Sequence, residues 1–395
     1  MKLVIEEMDQ LGNGIGYNDG KVVFVKGAIT GDVVNVKITD NKKSFMRGEI
    51  KEIITPSEMR IKPACPYFEK CGGCQLLNMN YYNTLLYKKK RVSNILKPLN
   101  LNMDIEIIEN EDPFYYRNKI ELKVVDGKIG YYESLSHSLI EIKECKIAKE
   151  CINDFLHELS LMKIKNGDIT LRANYNDELL VIIKSEDKIS FKDDYSEYKV
   201  VGIVLNDETV YGENFFMEKI NDFYFKVSYD AFFQVNSLIN SKLFNIISKY
   251  VDDKVVLDLY SGVGTLSLAA SKKALKVYAI ELVENAVLDS MANAKMNNCD
   301  NVSFILGKVE DKITRIENKI DTVIVDPPRK GLDNKTMDII LKKEYDNIIY
   351  FSCETQHLKN DLEKLLDKYT LKKIYCLDMF SYTYHCESIC LLERR

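Results

Sequence analysis

The chain has 395 residues, 46% hydrophobic and 29% charged, with a net charge of −5 and ten cysteines. That length allows two or three domains with large cores. The composition is that expected of a soluble globular protein. No apolar run reaches membrane-spanning length, so no transmembrane helix is expected, and the acidic balance excludes a general charge-driven nucleic-acid binder. Acidic residues in MKLVIEEMDQ stand where a secretion signal would carry its apolar core, which gives an expected cytoplasmic location. In that compartment cysteines serve metals, catalysis or burial more often than disulfides.

Residues 1–56 read as short strands broken by glycine turns (NGIGYNDG, KVVFVKGAITGD, VVNVKITD), the pattern of a small β-barrel. Pro56 and Pro63 bracket a linker, and residues 65–74 hold a cysteine cluster. A helical stretch rich in Tyr and Lys follows. Residues 61–100 carry seven basic residues against the single acid Glu69, which leaves −11 for the rest of the chain. YKKKR, residues 87–91, is either a phosphate-contacting patch or a solvated helix face, and Tyr81, Tyr82 and Tyr87 are either base-stacking rings or core. From 114 to 225 strands (KIELKVV, DGKIGYY, ELLVIIK, KVVGIVL) mix with a helix over 149–162. From 226 onward strands alternate with helices, as in a parallel α/β sheet. The boundaries expected are 1–56, 57–225 and 226–395.

In the last segment, VVLDLYSGVGTLSLAAS (255–271) is a strand, a glycine turn and a helix. Gly262 and Gly264 allow a tight turn, while Ser267 stands where a dinucleotide fingerprint has its third glycine. KVYAIE ends in Glu281, 23 residues after Asp258, where a carboxylate can hold ribose hydroxyls. The arrangement suits S-adenosylmethionine (AdoMet), which has a ribose but no pyrophosphate; an NAD-type site is the alternative. DTVIVDPPRKGLD (321–333) places Asp326 at the end of a strand and stiffens the exit loop with two prolines. The following strand, NIIYF, leads to Cys353. Alone, Cys353 reads as a small buried hydrophobe. If the two strands are parallel, however, Asp326 and Cys353 share the rim where such sheets bind ligands, and the thiol becomes a candidate nucleophile. Arg329 follows the prolines where adenine-amino methyltransferases carry a base-stacking aromatic, which disfavours that chemistry. A pyrimidine carbon needs a covalent nucleophile before it can accept a methyl group.

Taken together, CPYFEKCGGCQL, YDAFFQVN, LDLYSGVGTLSL, DPPRKGL, SCETQHLKNDL and HCESICLLER resemble the bacterial AdoMet-dependent RNA 5-methyluridine methyltransferases. The similarity is greatest to the branch that acts on 23S ribosomal RNA and carries an N-terminal TRAM domain and a [4Fe-4S] cluster. It covers nearly the whole chain. The resemblance implies an α/β Rossmann-like AdoMet methyltransferase domain, an N-terminal OB-like β-barrel (TRAM) and a mixed α+β central domain carrying the iron–sulfur cluster. It implies cluster ligands at Cys65, Cys71, Cys74 and Cys145, with Cys151 competing for the fourth place; four-cysteine zinc is the alternative, and a radical AdoMet enzyme would space its cysteines differently. It implies AdoMet contacts at Gln234, Tyr260, Glu281 and Asp326, the nucleophile at Cys353 and the general base at Glu387. The chain departs from the family at Glu354 and Thr355 (usually Asn-Pro), Asn360 (usually Arg) and Ser381 (usually Pro). The expected protein is a monomeric enzyme acting on RNA, 23S ribosomal RNA first, with transfer RNA as the alternative target and a non-catalytic RNA-binding factor as the alternative class.

Overall fold

The computed structural model describes residues 1–133, 136 and 138–395. The N-terminal unit is a six-stranded sheet. Residues 2–4 pair with 33–35, and residues 7–8 pair with 14–15, so one kinked strand closes the sheet on itself. Alternate residues face inward, giving a core of Leu3, Ile5, Val23, Val25, Val34, Val36 and Met46. Asp32 anchors the barrel's exit. It is fully buried, accepts from the Ile29 and Ser57 amides at 2.9 Å, and pairs with Arg60.

The central unit is a seven-stranded mixed sheet in which Lys119–Val125, Gly167–Ala173 and Leu179–Lys184 lie side by side. The helix Glu150–Leu161 packs Ile152, Phe155 and Leu159 on one face of it. Leu180, Ile182 and Val204 pack instead into the core of the third unit. A two-stranded hairpin, Phe215–Ile220 with Phe223–Ser228, lies at the junction.

The third unit is an eight-stranded sheet. Its strands are β1 (Ile105–Ile108), β2 (Val255–Leu259), β3 (Lys276–Glu281), β4 (Val302–Leu306), β5 (Thr322–Val325), β6 (Asn347–Ser352), β7 (Tyr369–Leu377) and β8 (Glu387–Arg394). They lie in the order β4-β3-β2-β5-β6-β8-β7-β1. All run parallel except β8, which is antiparallel to both of its neighbours.

The expected boundary at 226 is thereby corrected in one respect. β1 and the helix α1 (Tyr81–Leu96), both placed in the central unit from sequence, belong to the third. β1 pairs with β7, and Val92, Ile95, Leu96 and Ile105 enter the core beneath β2, β5 and β6. Four residues of IEII carry no mark of which sheet they will join.

α1 is capped by Asn80, whose side chain accepts the Asn83 amide at 3.0 Å, and Pro98 follows its end. Its buried face, Thr84, Leu85, Lys88, Arg91, Val92 and Ile95, repeats every three or four residues. YKKKR is therefore split by the helix, and the phosphate-patch reading fails for its core. Lys88 is wholly buried against Asp378, and Arg91 is 4% exposed. Lys89 pairs with Asp104 and Lys90 with Glu7 at the surface. Tyr81 and Tyr87 are also structural, donating to Asp378 and to the Asp9 carbonyl at 2.7 Å. Tyr82 alone of the three is exposed. Among the described residues no helix is long and apolar enough to cross a membrane.

Asp32 offers a test of the barrel. Burial pushes its carboxyl pKa up, but the hydrogen bonds from Arg60, Ile29 and Ser57 outweigh it and hold the pKa below the usual range. Its stabilisation is thus present above the unfolded carboxylate pKa and lost as pH falls through the lower folded value. Asp32→Ala, which strands a partly buried Arg60, is expected to cost about 3 kcal/mol. It should also remove hydrogen-exchange protection at the Ile29 and Ser57 amides of the full chain.

Candidate active site

The site forms at the carboxyl rim of the third sheet. Leaving β2, Tyr260 adopts a left-handed conformation (φ 63°), and the turn 261–264 leads into the helix α2 (Thr265–Ser271). Gly264 has φ 86°, and a Cβ there would lie 3.2 Å from both Leu268 and Ser290, so only glycine fits. Glu281, ending β3, accepts the Gly262 amide at 2.9 Å and the Leu282 and Val283 amides at 2.7 and 2.8 Å. Tyr260 turns its hydroxyl to Asp333, and burial pushes its pKa up to about 12.

Asp258, buried in β2, accepts from Ser267, and burial raises its pKa to about 7, with Asp326 and Glu281 adding repulsion. Its second oxygen and the Ser261 hydroxyl are buried without a partner. Unpaired buried polar atoms beside a glycine turn are costly unless a ligand supplies donors. They fit the charged amino-acid end of AdoMet, while Glu281 fits its ribose. Asp258 and Ser261 are not among the residues expected here from sequence; the strand and turn were legible, but nothing in the pattern marks their polar atoms as unpaired.

Asp326 leaves β5 and Cys353 leaves β6, and because these strands are parallel both reach the same rim. The loop between Asp326 and β6 is fixed by Asp361, which accepts the Leu332 amide at 3.0 Å and the Tyr350 hydroxyl. Gly331 (φ 78°) lets the backbone pass, since a Cβ there would sit 2.8 Å from the Asp361 carboxyl.

β8 brings the remaining group. Ser352 lies opposite Ser388 across the antiparallel ladder. Cys353 and Glu387 are the residues that adjoin this last pair on the rim side, and the charge of Glu387 acts on the Cys353 thiol. Glu387 is buried, 4% exposed, and burial with repulsion from Asp326 raises its pKa well above the usual range. Cys353 is half-buried. Burial, then the charges of Glu387 and Asp326, push its thiol up to about 12, and Arg329 opposes them. Desolvation likewise raises Asp326 to about 7.

Gln234 lies on the loop between the hairpin and the helix Ser237–Tyr250, where its carbonyl accepts from Asn118 at 3.2 Å. It lines a cavity of about 660 Å³ with Arg117, Phe232, Arg329, Phe380 and the four cysteines 65, 71, 74 and 145. Arg329 thus serves both the cavity and the thiol. Burial raises the pKa of Cys65, Cys71 and Cys74, and repulsion from neighbouring thiols adds to it. Cys151 instead lies beside Asp177 at 3.8 Å and does not line the cavity. Among the described residues no group of three or more His, Cys, Asp or Glu side chains is arranged to hold a metal ion.

The known proteins that share these features agree with one another. A family model described as tRNA (uracil-5-)-methyltransferase matches residues 196–395, and a TRAM domain matches residues 2–51. An uncharacterised RNA methyltransferase of Clostridium tetani is 34% identical over 99% of this chain and 95% of its own length. One of Clostridium acetobutylicum is 33% identical, covering 100% and 96%. The solved structure of Pyrococcus abyssi tRNA (uracil-54, C5)-methyltransferase in complex with S-adenosyl-L-homocysteine superposes with a TM-score of 0.83, at 25% identity and 99% coverage of both chains. Fold, cofactor rim and kinship define an AdoMet-dependent RNA methyltransferase with a Rossmann-like catalytic domain and an N-terminal TRAM domain. The chain belongs to the tRNA (uracil-5-)-methyltransferase family.

The raised thiol pKa has a measurable consequence. Far below its pKa a thiol gains about tenfold in thiolate per pH unit. Alkylation of Cys353 by iodoacetamide, followed by peptide mass spectrometry, should therefore rise about tenfold from pH 7 to pH 8. Arg329→Met should slow it at both pH values. A plateau below pH 8 would show that the thiol is already activated.

Proposed function

We propose that this enzyme methylates C5 of uridine in RNA through a covalent intermediate, with Cys353 as nucleophile and Glu387 as general base. The observation that supports it most is that a thiol and a buried carboxylate adjoin the last Ser352–Ser388 pair of the β6–β8 ladder, each under the charge of Asp326. The Cys353 thiolate adds to C6 of the uracil, forming the S–C6 bond and pushing the ring electrons onto C5 and O4. Gln234, Tyr260, Glu281, Asp326 and the unpaired Asp258 and Ser261 would hold AdoMet, which when bound would supply the methyl group to C5, its sulfonium–methyl bond breaking to leave the neutral thioether S-adenosylhomocysteine. Glu387 then takes the C5 proton, the C5=C6 bond re-forms, and the thiolate leaves. Burial makes Glu387 a strong base once ionised. Arg329 offsets the repulsion that Asp326 and Glu387 impose on the thiolate. C6 is accessible only in a base flipped out of its stack, so loops and bulges are the favoured substrates.

Large-subunit ribosomal RNA is the target this reading favours, on the resemblance carried by the cysteine quartet and TRAM barrel. Transfer RNA is the alternative, favoured by the substrate of the Pyrococcus enzyme. Mapping 5-methyluridine in both RNAs of a deletion strain decides between them. We also take the protein to be a cytoplasmic monomer, which sedimentation of the purified chain checks.

The four cysteines around the cavity are assigned to a [4Fe-4S] cluster. Their support is that all four line one cavity and that Cys145 raises the pKa of Cys65, Cys71 and Cys74, a repulsion a bound metal centre would relieve, so loading would have to draw the four thiols closer than they lie here. The cluster has no part in methyl transfer, which needs no electron. Cys74→Ser should remove iron and lower folding yield or RNA binding. Stoichiometric zinc without iron after anaerobic purification would overturn the assignment.

The division of labour is directly testable. Cys353→Ala should abolish both turnover and any covalent RNA complex. Glu387→Gln should permit attack and methylation but block release, slowing turnover ~100- to 10,000-fold. A methylated protein–RNA adduct stable to denaturing electrophoresis should then accumulate. Normal turnover by Glu387→Gln without an adduct would defeat the mechanism.

A further inference from the structure

Lys88 and Arg91, on the buried face of α1, reach the catalytic loops. Lys88 pairs with Asp378 and donates to the Phe380 carbonyl at 2.8 Å. Asp378 also accepts from Tyr81 at 2.7 Å and from Ser381 at 2.6 Å, so the start of the segment leading to Glu387 is locked. Arg91 acts one turn further along. It donates to the Tyr384 carbonyl, three residues before Glu387, and its guanidinium lies 5.5 Å from the Tyr384 ring. A second nitrogen lies 3.4 Å from the Thr355 hydroxyl, two residues after Cys353. Its Nε donates to Gln10 of the TRAM barrel at 2.9 Å.

We propose that Arg91 is a positioning residue, one guanidinium that sets the spacing between the nucleophile loop and the base loop and ties that spacing to the seating of the TRAM barrel. This rests on the reaction through Cys353 and Glu387 proposed above. The planar fork suits the task. It offers separate N–H groups in fixed directions to three chain segments, whereas a lysine ammonium offers one point charge. The barrel end is continuous with this contact, since Tyr87 of α1 donates to the Asp9 carbonyl beside Gln10. RNA that seats the barrel thereby also sets the distance between thiol and carboxylate.

The test uses the full-length enzyme as purified, and an RNA substrate carrying 5-fluorouridine. The fluorine cannot leave as a cation, so an adduct formed at C6 and methylated at C5 persists. Arg91→Lys retains the charge but loses the three-way grip. It should lower kcat on ordinary RNA by about 100-fold, the typical cost of a 1 Å misplacement, and slow adduct formation. RNA Kd and its dependence on salt should not change. Thr355→Val, which cuts the nucleophile arm without leaving a charge unpaired, should slow adduct formation. Gln10→Ala should lower kcat less. Lys90→Gln, on the exposed face, should match wild type. Wild-type protein that forms no adduct overturns the covalent reading and this proposal together. Wild-type adduct with unchanged kinetics in Arg91→Lys overturns the positioning role alone; if Arg91→Lys does not fold, unchanged kinetics in both Thr355→Val and Gln10→Ala do the same. A raised RNA Kd with a flattened salt slope also overturns it, by making Arg91 a phosphate contact.

Discussion

The catalytic rim depends on one topological fact, that β8 runs antiparallel between two strands that are parallel to the rest. In an all-parallel sheet each strand delivers only its carboxyl end to the ligand side. β8 delivers its amino end instead. Glu387, the first residue of β8, therefore lies at the same rim as Cys353, which follows the last residue of β6. No loop has to reach over the sheet to bring a carboxylate there. The cost is electrostatic, since burial raises the pKa values of Asp258, Asp326 and Glu387 on one rim and the charge of Asp326 raises the other two further. A cationic cofactor and Arg329 are the natural counterweights.

A buried ion pair is weak evidence for stability, because desolvating both charges costs several kcal/mol before any attraction is counted. The pair Lys88–Asp378 fits that view only when its neighbours are included. The Phe380 carbonyl accepts a second hydrogen bond from Lys88, Tyr81 and Ser381 donate to the Asp378 carboxylate, and Asn110 in turn donates to Ser381 at 3.0 Å. The departure from the family proline at position 381 is thus absorbed, since the serine hydroxyl joins the network. The network specifies one course for the segment 378–386 rather than adding much to stability.

The Gln234 loop is held from outside its own domain. Arg172 of the central sheet, 3% exposed, donates to the carbonyls of Ser228, Tyr229 and Ala231. On the other side, Asp289 and Asn293 of the helix α3 (Glu284–Met296), with Asn297 just beyond it, accept the amides of Ser228, Lys226 and Tyr224 at 2.8, 2.6 and 2.8 Å. Four residues of helix rise about 6 Å, close to the rise of two residues of strand, so the helix can serve the hairpin's free edge as a neighbouring strand would. This explains why α3 buries Asp289 and Asn293 while leaving Leu288 and Met291 exposed.

Local pattern carried much of the design. Strand, glycine turn and helix at 255–271, the acid ending β3, and the strand exits at Asp326 and Cys353 are short-range features, set by backbone freedom and strand period, and they are readable from residues in sequence. The family resemblance added Glu387 and Gln234, which no spacing marks. What the sequence could not show was decided by partners far along the chain. Lys88 and Arg91 are charges in a basic run and read as solvent-facing, yet Lys88 meets Asp378, 290 residues away, and a charge goes inside only where such a partner waits. IEII reads as any short strand, and its place beside β7 follows from the packing of α1. Which polar atoms of the rim stay unpaired, and so await a ligand, is a property of the assembled site alone, because hydrogen bonding is settled only when every element is in place.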